Sequence, residues 1–96
     1  MEKMDVNEIE KIEKPYILDV REKFELLETG TIKGAHHIPM MQVFESLNKI
    51  PKDKKIYVLC RSGRRSEAVC QELSELGYDT VNLEGGIINY KGKLEK

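Results

Sequence analysis

The sequence predicts an α/β protein whose parallel sheet is covered by helices on both faces. Three observations predict it. Residues 16–20 (Tyr-Ile-Leu-Asp-Val) and 56–59 (Ile-Tyr-Val-Leu) are short apolar runs, and the second is continuous, as in a strand buried on both faces. Residues 64–76 carry Ala68, Val69, Leu73 and Leu76 at helical spacing. A further strand, 80–83, follows that helix, and strands alternating with helices imply parallel pairing.

The elements follow in order. Asp5 is suited to cap a short helix carrying Val6, Ile9 and Ile12, and Pro15 stops it. Residues 16–20 form a buried strand. Residues 22–28 read as a helix with Phe24, Leu26 and Leu27 available for packing, ended by Gly30. Loop and short strand occupy 32–39, with Gly34 at a tight turn and Pro39 at a terminus. Residues 41–47 read as a second short amphipathic helix, and 51–55 as a charged turn. The strand 56–59 then leads to Cys60. Gly77 ends the long helix, Gly85-Gly86 turn the chain after strand 80–83, and residues 87–90 make a last helical turn. The whole chain, 1–96, reads as one domain with a core over about 4–91, and the polar tail 92–96 is expected to fray.

Composition excludes several classes. The chain is 40% hydrophobic and 34% charged, with a net charge of −1, so no overall field favours nucleic acid or an acidic membrane. No segment approaches ~18 consecutive apolar residues, and the charged N-terminus does not resemble a secretion signal, so a cytoplasmic protein is expected. Cys60 and Cys70 are too few for a disulfide framework and form no CxxC, so both are expected as thiols. Nothing in the pattern calls for a metal or a cofactor. His36 and His37 are adjacent and should face opposite ways on an extended segment.

Arginine usage points to the site. Three of the four arginines fall within residues 60–66, Cys-Arg-Ser-Gly-Arg-Arg-Ser. A strand that ends, turns through Gly63 and starts a helix leaves main-chain N–H groups unpaired and pointing into the turn. Such a nest at a helix N-terminus favours an anion, and a cysteine sulfur at its centre should ionise near neutral pH. Arg64 and Arg65 oppose the helix dipole in the first turn, so a merely solvated helix start does not account for them. As bidentate cations, Arg61, Arg64 and Arg65 would draw in an anionic substrate.

Loop size bears on the reaction. A thiolate phosphatase loop needs arginine at the sixth position after cysteine, and that position holds Ser66. Arg65 arrives one residue earlier, which makes a tighter nest, better matched to one added sulfur atom than to a phosphoryl group. Arsenate chemistry is not excluded by loop length.

Residues 60–66 resemble the active-site loop of rhodanese-type sulfurtransferases. Leu18-Asp19-Val20-Arg21, Gly34-Ala35-His36-His37-Ile38-Pro39 and Leu83-Glu84-Gly85-Gly86 resemble other segments of that family, in the same order. The resemblance runs from about residue 16 to 90. It implies a parallel five-stranded sheet flanked by helices, and a ping-pong reaction through a cysteine persulfide. On that reading Cys60 takes the sulfane sulfur of a small anionic donor such as thiosulfate, and the main-chain amides of Arg61, Ser62, Gly63, Arg64, Arg65 and Ser66 hold the anion. A thiol, cyanide or a protein then accepts the sulfur. A sulfur-carrier or protein-docking module using the same edge is the alternative from another class. Thr31 and Tyr90 stand where the family commonly has histidine and tryptophan. Asp19 and Arg21 should brace the site by bonding nearby loops, since neither has a proton to move. Cys70, ten residues on, should pack as a small hydrophobe.

Overall fold

Residue parity along the central strands decides which side chain enters which layer. The computed structural model describes residues 1–96. It opens with strand β1, Glu2–Asp5, and a 3-10 helix, Val6–Lys11, that Asp5 caps by accepting the Asn7 N–H at 2.8 Å. Strand β2 is Tyr16–Asp19 and helix α1 is Lys23–Thr29. Two-residue strands β3, Thr31–Ile32, and β4, His36–His37, follow. The segment expected as an amphipathic helix at 41–47 is instead a 3-10 helix, Met40–Glu45, and a 3-10 turn, Leu47–Lys49. Strand β5, Lys55–Leu59, leads to helix α2, Arg64–Glu75. Strand β6 is Asp79–Glu84, helix α3 is Gly86–Asn89, and strand β7 is Leu94–Glu95.

The main sheet has five parallel strands in the order β1-β6-β5-β2-β4. Even-numbered Leu18, Val20, Ile56, Val58 and Cys60 face α2 and the Met40–Glu45 segment, packing with Val43, Val69, Cys70 and Leu73. Odd-numbered Ile17, Tyr57, Leu59, Val81 and Leu83 face the other layer, where Val6, Ile9, Ile32 and Ile87 cover them. Both faces are therefore apolar and covered, as a parallel sheet requires. Cys70 is fully buried among these residues, as its place on the helix implied.

Three further expectations fail, the first two through non-local contacts and the third at a local helix end. The tail does not fray, because Leu94 and Glu95 pair antiparallel with Ile32 and Thr31. Phe24 and Leu27 do not pack into the core and are 69% and 68% exposed, since polar bonds at its two ends tie α1 to the body of the protein. Leu76 lies beyond the last α2 residue and is exposed, because the chain unwinds there into Gly77, at φ 95°.

Candidate active site

The carboxyl ends of β2, β5 and β6 converge on residues 60–66. Cys60 follows the last residue of β5 and is only 1% exposed, at the floor of the loop. Its backbone is pinned from two sides. Val20 N–H donates to the Leu59 carbonyl at 2.9 Å, and Ile87 N–H donates to the Cys60 carbonyl at 3.0 Å. Gly63 adopts φ 101°, which turns the chain into α2 and brings its own N–H to 3.0 Å from Cys60 Sγ. The main-chain N–H groups of Ser62 and Ser66 add to the field that favours the sulfur's anion.

Burial pushes the Cys60 thiol up. The Ser66 hydroxyl and the N–H groups of Ser66, Gly63 and Ser62 together outweigh that, and the net shift is downward. The sulfur thus lies beneath a ring of donors that favour its anion, although its residue belongs to the apolar layer. Burial pushes the Cys70 thiol the other way, up to about 12, and no comparable ring offsets it.

The three loop arginines separate. Arg65 forms a bidentate pair with Glu25 of α1, at 2.7 and 2.9 Å. The Arg65 guanidinium holds the Glu25 carboxyl down at about 2, against the effect of burial, so the pair stays charged through the neutral range. Arg61 and Arg64 are exposed and have no ion-pair partner. Arg61 lines a cleft of about 270 Å³ with Phe24, Glu28, Ile87 and Ile88. This cleft places an unpaired cation and an apolar wall beside the loop.

Asp19 and Arg21, which the sequence reading placed at the edge of the site, are 0% and 1% exposed. Arg21 Nη2 donates to Asp19 Oδ2 and to the Gly30 carbonyl, both at 2.9 Å, and Nη1 to Thr29 Oγ1 at 3.0 Å. Thr31, in the common histidine position, donates its hydroxyl to Asp19 Oδ2 at 2.7 Å. The histidines diverge: His36 stacks on Tyr16 with ring centroids 4.2 Å apart, while His37 Nε2 bonds the Arg21 carbonyl at 2.6 Å.

Two residues escaped the reading of the loop. Glu25 lies forty positions before its partner, so only the fold reveals it. Asn82 is 2% exposed on β6, with Oδ1 2.5 Å from Ser66 Oγ and Nδ2 3.1 Å from the Gly63 carbonyl. A polar residue inside a buried strand was its one visible signal.

Gly86 fixes how closely α3 underlies the loop. At φ 62°, any Cβ there would meet the Arg61 carbonyl oxygen and stand 2.6 Å from that of Cys60. Both carbonyls accept bonds from α3, from Ile88 N and Ile87 N. Gly86→Ala is expected to cost about 2–3 kcal/mol and to slow any reaction at Cys60. Thermal denaturation and a rate assay on the same preparation check this; an unchanged melting temperature would show that the loop carbonyls can yield.

The Rhodanese-like domain family matches residues 5–93, and the chain belongs to that family. YtwF of Bacillus subtilis, a proposed sulfurtransferase, is 44% identical over 87 residues, covering 91% of this chain and 84% of its own. A sulfurtransferase of Allochromatium vinosum is 40% identical over 73 residues, covering 75% of this chain and 67% of its own. The crystal structure of SSP1007 from Staphylococcus saprophyticus superposes with a TM-score of 0.90 at 34% identity, with both chains fully covered. The fold is thus the rhodanese fold and the general chemistry is transfer of sulfur.

Proposed function

We propose that this protein, acting as one rhodanese-like domain, moves sulfane sulfur from a small anionic donor such as thiosulfate through a persulfide on Cys60. The Cys60 thiolate attacks the outer sulfur of the donor. With thiosulfate the S–S bond breaks and sulfite leaves with the bonding pair, so charge balances as Cys–S⁻ plus S₂O₃²⁻ gives Cys–S–S⁻ plus SO₃²⁻. A thiophilic acceptor then takes the terminal sulfur and restores the thiolate. The observation that carries this reading is the 3.0 Å bond from Gly63 N–H to Cys60 Sγ, which belongs to a set of donors favouring an anion.

Arg61 and Arg64, free of ion-pair partners, recruit the anionic donor, while Arg65 with Glu25 holds the loop against α1. The amides of residues 61–66 supply the cradle, and Asp19 with Arg21 keeps the sheet edge in register beneath it. Phe24 and Ile88 in the cleft beside Arg61 support a protein or an organic thiol as the acceptor. No helix is long and apolar enough to cross a membrane. Both cysteines are free thiols, the state a reducing compartment maintains, which supports the cytoplasm.

Mass spectrometry tests the covalent step. Protein exposed to thiosulfate should gain about 32 Da, one sulfur atom, lose it on addition of cyanide and release thiocyanate. A protein that gains no mass and makes no thiocyanate would overturn the persulfide route.

A further inference from the structure

Ser66 has one hydroxyl proton and two neighbours that want it. Its Oγ is 3.4 Å from Cys60 Sγ and 2.5 Å from Asn82 Oδ1, and Ser66 is fully buried, so water cannot serve either. The Asn82 amide cannot turn round to relieve the competition. Its Nδ2 donates to the Gly63 carbonyl at 3.1 Å, and a flip would set two oxygens against each other. Asn82 Oδ1 is therefore a fixed acceptor aimed at Ser66.

We propose that Asn82 is a positioning residue that holds the Ser66 hydroxyl proton while Cys60 is a thiol and yields it to the sulfur when Cys60 ionises. In the thiol state the chain runs Cys60 S–H to Ser66 Oγ, then Ser66 O–H to Asn82 Oδ1. On ionisation the Cys60 proton leaves to solvent and Ser66 keeps its own. The hydroxyl swings about its Cβ–Oγ bond to donate to the thiolate, because a bond to an anion outweighs one to a neutral amide. Asn82 thereby sets a threshold: its acceptor strength opposes the swing. The idea rests on the persulfide reading for its catalytic meaning, since a loaded persulfide carries its charge on the outer sulfur and lets the hydroxyl return to Asn82.

The loop does not depend on Asn82 alone. The Gly63 carbonyl also accepts the Glu67 N–H at 3.3 Å, so removal of the amide leaves the helix start bonded. Nor do other groups around the sulfur confuse the reading near neutral pH. On α2, Arg65 is paired with Glu25 of α1, and Cys70 stays protonated with its thiol up at about 12. Asp19 at the end of β2 and Arg21 just beyond it close on each other, Arg61 and Arg64 are exposed, and Glu84 at the end of β6 is exposed to solvent.

The test is the pH profile of Cys60 alkylation by iodoacetamide, followed by intact mass, in wild type, Ser66→Ala, Asn82→Leu and the double variant. Ser66→Ala should raise the midpoint by about one pH unit, having lost the donor to the thiolate. Asn82→Leu should lower it by roughly half a unit, since Ser66 then has only the sulfur to serve. In the Ser66→Ala background, Asn82→Leu should change nothing. A rise in Asn82→Leu, or an equal shift with and without the Ser66 hydroxyl, would overturn the proposal and reduce Asn82 to a prop for the loop. Asn82→Ala repeats the measurement if the leucine variant does not fold, with the same outcomes expected. Alkylation needs no sulfur donor, so a wild type that makes no thiocyanate but shows these midpoints sinks the transfer reading and keeps this one.

Discussion

Cys60→Ser should lose sulfur transfer by a factor on the order of 10³ or more while keeping its fold. Serine offers an oxygen of nearly the same shape to the donors from Gly63, Ser62 and Ser66, so the loop has no reason to rearrange. What disappears is the atom that can bond to sulfur and release it again. A hydroxyl is not ionised near neutral pH, and an oxygen–sulfur bond would not pass the sulfur on. Loss of thiocyanate formation, loss of the 32 Da adduct and an unchanged far-ultraviolet spectrum are the three readings to take together. Retained transfer would move the chemistry away from this loop.

The same variant exposes a pH dependence whose sign follows from the lowered Cys60 value. The folded thiol loses its proton at lower pH than the unfolded one, so between the two values the unfolded chain binds the extra proton. Wild-type stability, measured against Cys60→Ser, should therefore rise with pH from the folded pKa up to the ordinary thiol value near ~8.5, then level off. As pH falls through the folded pKa that advantage is lost. Urea titrations of both proteins across this window check the sign, and a difference that stays flat would mean the cradle does not favour the thiolate.

Much of this site was legible because its causes are local. An apolar run ending at Cys60, a glycine at 63 and a helical repeat from 64 lie within a few residues, and together they demand a strand, a sharp turn and a helix N-terminus. The elements that escaped depend on distant partners. Strand β1 is the charged stretch Glu2-Lys3-Met4-Asp5, which has no strand character of its own. It is a strand because β6 offers an open parallel edge, with Lys55 and Glu67 pairing Glu2 and Lys3. The tail is ordered for the same reason, through β3. Composition around residue 65 suggested three equivalent cations. Only the placement of α1 beside the loop reveals that Arg65 is already paired with Glu25, so that Arg61 and Arg64 alone of the three stay without an ion-pair partner. Asn82 is an intermediate case. Strand parity puts it on the face shared with Cys60, but its partners, Ser66 and Gly63, become visible only once β6 lies beside β5.

Arg21→Ala should be the most destabilising single change here, at about 3–5 kcal/mol. The reason is less the attraction lost than the charge left behind. Asp19 is fully buried and receives four bonds from Arg21, three from the guanidinium and one from its main-chain N–H at 3.0 Å. Without the guanidinium, only that N–H and the Thr31 hydroxyl serve a carboxylate with no water around it. The Gly30 carbonyl and Thr29 Oγ1 lose a donor at the same time, which loosens the end of α1 and with it the helix carrying Glu25. Against a total stability of about 5–15 kcal/mol, a melting temperature lower by roughly 15–30 °C is expected. The double variant Asp19→Leu with Arg21→Met separates the two causes. It removes both charges and keeps the volume, so it should regain most of the lost stability. If it melts as low as Arg21→Ala, the bonds from Arg21 to Thr29 and Gly30 matter more than the buried charge. If Arg21→Ala itself costs under about 1 kcal/mol, as for an exposed pair, the edge beneath Cys60 is not braced this way.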